Sequence, residues 1–186
     1  MKKIISLFQR NYDGDRLVRD EVVPGAEWVQ AGEGIPTRKW DGTSCMVRGG
    51  KLFKRYDVKR GKTPPVGFEG AQEPDETTGH WPGWLPVGDG PDDKWHREAW
   101  ESVILADGTY ELLGPKIQGN PEGMDSHCFV VHGGEEIPSA PRAFLALREF
   151  FDANNIEGIV WHHVDGRAVK IKAKDFGIKR KPSKSS

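Results

Sequence analysis

Cysteine is scarce: only Cys45 and Cys128 stand among the 186 residues. Two are too few for a disulfide framework and fit a reducing compartment. No charge of one sign prevails either, since 27 Lys and Arg face 28 Asp and Glu for a formal net charge of -1. That balance excludes coating of nucleic acid by bulk charge, while leaving room for a local basic groove. Long apolar runs are missing too. The start Met1-Lys2-Lys3-Ile4-Ile5-Ser6-Leu7-Phe8 is stopped by Gln9 and Arg10. This is too short for a signal-peptide core, and nothing approaches the roughly 20 apolar residues of a membrane span. The expectation is a cytoplasmic protein, not attached to a membrane and with no protein partner evident. His80, His127, His132, His162, His163 and Cys128 form no C-x-x-C or H-x-x-x-H spacing, so no structural metal is expected.

What is present suffices for a core: 36% of residues are hydrophobic, with seven Trp. Residues 44–48 and 51–56, joined at Gly49-Gly50, predict a hairpin. Residues 61–93, dense in Pro and Gly around Trp81-Pro82-Gly83-Trp84, show no period and predict a long loop. A helix over about 93–103, started by Asp92 or Asp93, would bury Trp95, Ala99, Trp100 and Val103. Strands are expected at 109–113 and 129–132. A second helix over about 140–154, with Ser139 as N-cap and Pro141 in its first turn, carries the stripe Phe144, Leu147, Phe150 and Phe151. Strands at 158–162 and 168–172 follow, joined by Asp165-Gly166, and a basic flexible tail fills 179–186. The predicted class is α+β, antiparallel sheets with a few helices, in one domain over 1–178.

Chemistry gathers first at Lys39-Trp40-Asp41-Gly42. A lysine attacks phosphorus only as the neutral amine, so its ordinary pKa of about 10.4 must be brought down by burial or by neighbouring cations. Arg38, Lys170 and Lys172 are candidates for that field, and Gly42 would allow a tight turn. Alone, K-x-D-G usually marks an exposed lysine before a turn. Further along, Lys170 and Lys172 stand at i and i+2 on a strand and share a face, with Val169 and Ile171 on the other. Two parallel ammonium groups suit an α-phosphate and a leaving pyrophosphate, or else snorkel on a solvated face. Glu157, at the entry to a strand, could bind Mg²⁺ or mark an exposed corner. Glu111 could accept a ribose hydroxyl or face solvent.

Their order carries more than any single piece. Lys39 in K-x-D-G, Arg55, Glu111, Glu157 and Lys170/Lys172 form a series that resembles motifs I, Ia, III, IV and V of the covalent nucleotidyltransferases. These comprise DNA ligases, RNA ligases and mRNA-capping guanylyltransferases. Residues 37–43, 110–115 with 119–121, 157–172 and the Trp81–Trp84 stretch narrow the resemblance to the small 5′-3′ RNA ligase family of animals and its bacterial and viral relatives, over roughly Glu27 to Lys179.

The resemblance implies an adenylation domain without an OB-fold, ATP and Mg²⁺ as cofactors, and RNA 5′-phosphate and 3′-hydroxyl ends as substrates. It makes Lys39 the AMP-accepting nucleophile. Lys170 and Lys172 would hold the α-phosphate, and Glu157 the metal. Glu111 would bind the ribose, and Arg55 the ribose or the nick-side phosphate. Thr37 and Arg38 flank the nucleophile, and Val131 or His132 would face the adenine. One departure is Ser44, where some ligases carry a basic residue; Arg48 or Lys54 would supply that charge. The alternatives are a DNA ligase or GTP-using capping enzyme, or a non-catalytic RNA-binding module. The Trp-rich stretch would cover the nucleotide, clamp the RNA end or plug a sheet.

Overall fold

The computed structural model describes residues 1–183. In chain order the elements begin β1 (Ile5–Ser6), β2 (Phe8–Arg10), β3 (Val18–Val22), α1 (Glu27–Gln30) and β4 (Ile35–Lys39). Next come β5 (Thr43–Arg48), β6 (Lys51–Val58), β7 (Glu69–Gly70), β8 (Trp81–Pro86) and α2 (Lys94–Glu101). The last are β9 (Gly108–Leu113), β10 (Cys128–Val131), α3 (Phe144–Ala153), β11 (Gly158–His162) and β12 (Ala168–Lys172). The class is therefore α+β with mostly antiparallel strands. Within the span read as one domain, the chain packs into two compact units. It passes from one to the other at Asp41–Gly42 and returns at His132–Gly133. Among the described residues no helix is long and apolar enough to cross a membrane.

The unit holding residues 42–132, with Met1–Lys3 and Ser183, is built on a six-stranded sheet in the order β10-β9-β5-β6-β8-β7. The expected hairpin is β5–β6, with Cys45 opposite Lys54. Cys45, Val47, Leu52, Tyr110 and Leu112 form one buried face, covered by Ala99, Trp95 and Trp100 of α2. The predicted loop over 61–93 is not one loop. β8 pairs with β6 along six residues and β7 pairs with β8. Proline and glycine hid this alternation, and glycine is what the packing needs there. A Cβ on Gly70 would lie 2.4 Å from the Trp81 ring and one on Gly83 2.5 Å from the Phe68 ring, so both rings lie on bare backbone. Helix α2 begins at Lys94 rather than 93. The Asp93 carboxylate does not cap it, but takes the Lys54 ammonium and the Gly88 amide.

The other unit, residues 4–41 and 133–182, carries the sheet β1-β12-β11-β4, whose one parallel pair is β1–β12, and the ribbon β2–β3. Ile159, Trp161, Val169 and Ile171 face a core of Leu7, Phe8, Val29, Leu147, Phe151 and Phe176. The α3 stripe packs as its spacing predicted, yet the helix starts at Phe144 instead of about 140. The Arg142 guanidinium donates to the carbonyls of Val29 (2.9 Å) and Gly34 (2.8 Å), and Ala143 is extended. Those bonds offset the lost helical turn. The tail expected to be loose from 179 is held at Lys181, whose amide and carbonyl both bond the Asn155 side chain (2.9 and 3.1 Å). Residues 184–186 of that tail lie outside the described residues.

Candidate active site

Register fixes which side chains share a surface. Lys39 is opposite Gly158, and Gly158 opposite Lys172; one row on, Thr37, Val160 and Lys170 align. Facing residues project to the same side of a sheet, so Thr37, Lys39, Lys170 and Lys172 occupy one face of the four-stranded sheet. Gly158 separates Lys39 from Lys172. A Cβ there would meet the Ile171 carbonyl at 2.4 Å and the Lys172 Cγ at 3.1 Å. Arg38 falls on the opposite side. It stacks over Trp40 at 3.7 Å and pairs with Glu135 at 3.7 Å, so it is not brought to the Lys39 face.

Lys39 Nζ donates to Glu157 Oε2 at 2.9 Å, with both side chains largely withdrawn from solvent. Burial pushes the Glu157 carboxyl up, against the pull of the Lys39 ammonium, and Asp41 adds to the rise. Asp41 is held by Arg180 at 3.4 Å. His162, which meets the Thr37 hydroxyl at 3.1 Å, enters the sequence reading only among possible metal ligands, and Arg180 only in the basic tail. The fold is what brings them here. Lys172 is anchored through its amide to Asp175, a buried carboxylate that also pairs with Arg10 at 2.6 Å.

Burial first, then the Lys170 and Lys174 ammoniums, bring the Lys172 pKa from 10.5 to about 8. Unfolded, the same lysine keeps its proton to the higher value, so above about pH 8 the unfolded chain binds more protons and stability gains from the difference. We predict that raising the pH from about 7.5 to about 9.5 strengthens wild type relative to Lys172→Met in urea titrations. Parallel pH responses of the two proteins would show that the Lys172 charge is not suppressed.

In the six-stranded sheet Glu111 is opposite Ser44 and Val130. Its carboxylate accepts from the Gly42 amide at 3.1 Å and meets His132 Nε2 at 2.7 Å. Arg55 lies on the Glu111 side of the sheet, over Trp84 at 5.2 Å, and donates to the Met1 carbonyl at 2.8 Å. Lys54 and Val131 do not join them. Strand alternation turns both to the opposite side, with Lys54 beside Cys45 and Val131 beside Tyr110. Their sequence reading ignored parity: Val130, not Val131, shares the Glu111 face. Burial works to raise the Asp93 carboxyl, yet the Lys54 ammonium and the Gly88 amide outweigh it and hold it low. Lys54→Met would leave that carboxylate without its cation, and we expect a loss of about 3 kcal/mol in urea unfolding near neutral pH. The deficit should shrink as acid protonates Asp93.

Glu157 offers hard oxygen donors of the type Mg²⁺ takes, and one or two protein carboxylates suffice when phosphate and water complete the shell. Among the described residues no group of three or more His, Cys, Asp or Glu stands together as a metal cage.

Fold and geometry define the class: an α+β protein of mostly antiparallel sheets in which a lysine is paired to a partly buried carboxylate beside further lysines, a setting suited to phosphate chemistry. The comparisons sharpen this. The RNA ligase 1 family profile matches residues 100–185, which include Glu111, Glu157, Lys170 and Lys172 but not Lys39. RNA ligase 1 of Pongo abelii is 29% identical over 221 aligned positions, covering 77% of this chain and 67% of that protein. RNA ligase 1 of Danio rerio is 33% identical over 57% of this chain and 43% of its own length. For Mus musculus the figures are 31%, 59% and 44%. The chain thus spans less than half the length of the last two. It is related to the RNA ligase family.

Proposed function

We propose that this chain has the nucleotidyltransferase fold and is an ATP-dependent 5′-3′ RNA ligase acting through lysyl-AMP at Lys39. One observation carries the reading: the Lys39 amine lies 2.9 Å from Glu157 on the sheet face that bears Lys170 and Lys172. The Lys39 ammonium gives its proton to solvent, and the Glu157 carboxylate, 2.9 Å away, orients the amine and stays ionised. Neutral Nζ then attacks the α-phosphorus of ATP. A P–N bond forms, the bond from the α-phosphorus to the bridging oxygen breaks, and pyrophosphate leaves with the electron pair. Lys170 and Lys172 stabilise the charge that builds on the phosphoryl oxygens.

AMP then passes to an RNA 5′-phosphate, and a 3′-hydroxyl displaces it to join the strands. Mg²⁺, held through the remaining Glu157 oxygen, would neutralise phosphate charge. To Glu111 we assign a ribose hydroxyl, since an ionised carboxylate has acceptor capacity beyond Gly42 and His132. To His132, rather than Val131, we assign the base contact, because it shares the Glu111 side. Arg55 is assigned the ribose or the nick-side phosphate. The two free cysteines suit work in the reducing cytoplasm.

Intact mass after incubation with ATP and Mg²⁺ tests the reading. One added AMP, little or no adduct from GTP, and sealing of RNA ends in preference to DNA ends are expected. An unmodified mass with intact RNA binding would favour a non-catalytic binding module. A GMP adduct would point to capping chemistry.

A further inference from the structure

The basic C-terminal stretch, so far without a role, lines a groove. Two cavities of about 410 and 330 Å³ share Gly177, Ile178 and Lys179 as walls. The first reaches Asp41 and Glu157, so it opens beside the carboxylate that touches the Lys39 amine. The second runs on to Phe151, Asn155 and Lys181. Both belong to one unit.

Charge along this groove is lopsided once its internal pairs are set aside. Asp41 is answered by Arg180 and Glu157 by Lys39. Asp152 remains as an acid in the wall. Against it stand Lys174, Lys179 and Lys181, which make no ion pair among the described residues and are exposed. Exposed lysines on a loose tail would lose entropy on binding an anion. Here the two-way Asn155 clamp on the Lys181 backbone and the left-handed turn at Gly177 (φ 78°) already fix the chain that carries them. Ile178, partly exposed and common to both cavities, gives the walls an apolar patch, which suits sugar and base edges between charged phosphates.

We propose that this groove binds the phosphodiester backbone of the RNA strand and leads its 5′-phosphate towards Lys39. The assignment rests on the ligase reading, which supplies the RNA. Inorganic pyrophosphate, the other anion set free at Lys39, is the competing occupant.

The test uses the full chain with Lys174, Lys179 and Lys181 all changed to Gln, and a second variant with all three changed to Arg. The probe is a short 5′-phosphorylated single-stranded RNA carrying a fluorophore, titrated over a range of KCl. We expect the Gln variant to bind roughly tenfold or more weakly at low salt. Its log affinity against log salt should be shallower by about 2, since each single-strand phosphate contact contributes about 0.7. The Arg variant, which keeps the charge beside Lys172, should keep affinity, slope, urea midpoint and AMP adduct, and the Gln variant should still unfold cooperatively in urea. An unchanged slope in the Gln variant overturns the proposal, as does an Arg variant that fails like the Gln one. Calorimetric pyrophosphate binding that disappears in the Gln variant while RNA binding persists would give the groove to the product instead. A wild type that forms no AMP adduct, yet binds RNA through these lysines, would sink the ligase reading and leave the groove standing.

Discussion

Lys39→Ala incubated with ATP labelled at the α-phosphate is expected to retain no label after denaturation, at least about a thousandfold below wild type. The argument is about atoms. The stable bond under test is P–N, and the alanine side chain offers no nitrogen. Nearby lysines do not substitute. Lys172 projects from the same face, but its backbone is fixed through the Asp175 carboxylate, and Gly158 separates it from the Lys39 position. Alanine also strips Glu157 of the cation that restrains its carboxyl beside Asp41, so some loss of stability is expected as well. Lys39→Arg separates the two effects. It keeps a cation for Glu157, yet a guanidinium stays protonated and does not attack. It should therefore label as poorly as alanine while unfolding closer to wild type. Label on Lys170 or Lys172 in either variant, mapped by peptide mass, would remove Lys39 from the nucleophile's place.

Gly42→Ala is expected to cost about 3 kcal/mol or more in urea unfolding. An added Cβ would lie 2.1 Å from the Leu112 carbonyl oxygen, 2.7 Å from Leu113 Cδ2 and 3.1 Å from Glu111 Cγ. The first of these is strand backbone and cannot step aside without breaking the β5–β9 ladder. The same methyl pushes at Glu111 and strains its bond from the Gly42 amide. Gly90→Ala is the control. Nothing lies within 4 Å of its Cβ position, and its φ of -68° is open to alanine, so a change within about 1 kcal/mol is expected. Equal losses at both positions would mean that crowding at Gly42 is relieved by backbone movement.

Gly42 also shows how a correct choice of residue can rest on the wrong reason. The pattern suggested a glycine for a tight turn. Its φ is not in the left-handed region; what forbids a side chain is the neighbouring strand. Period-2 alternation in A-V-K-I-K was enough to put Lys170 and Lys172 on one face and Val169 and Ile171 in the core. The same rule would have separated Lys54 from Arg55 and Val131 from His132, but Lys54 was weighed as a substitute charge for Ser44, and Val131 or His132 by resemblance alone. Residues 61–93 stayed illegible because Pro and Gly are turn signals in isolation. Only packed aromatic rings reveal them as strand residues.

By itself the sequence determined the α+β class, six of the twelve strands among the described residues, the α3 stripe and the order Lys39, Glu111, Glu157, Lys170, Lys172, because side-chain period and motif order are local properties of a chain. Tertiary structure decided which carboxylate meets Lys39, that Arg180 answers Asp41, that Lys54 serves Asp93, and that the basic tail is held against Asn155. Each of these joins residues tens of positions apart or more. Their partners are chosen by strand register and by the need to compensate buried charge, and neither is written in any local stretch.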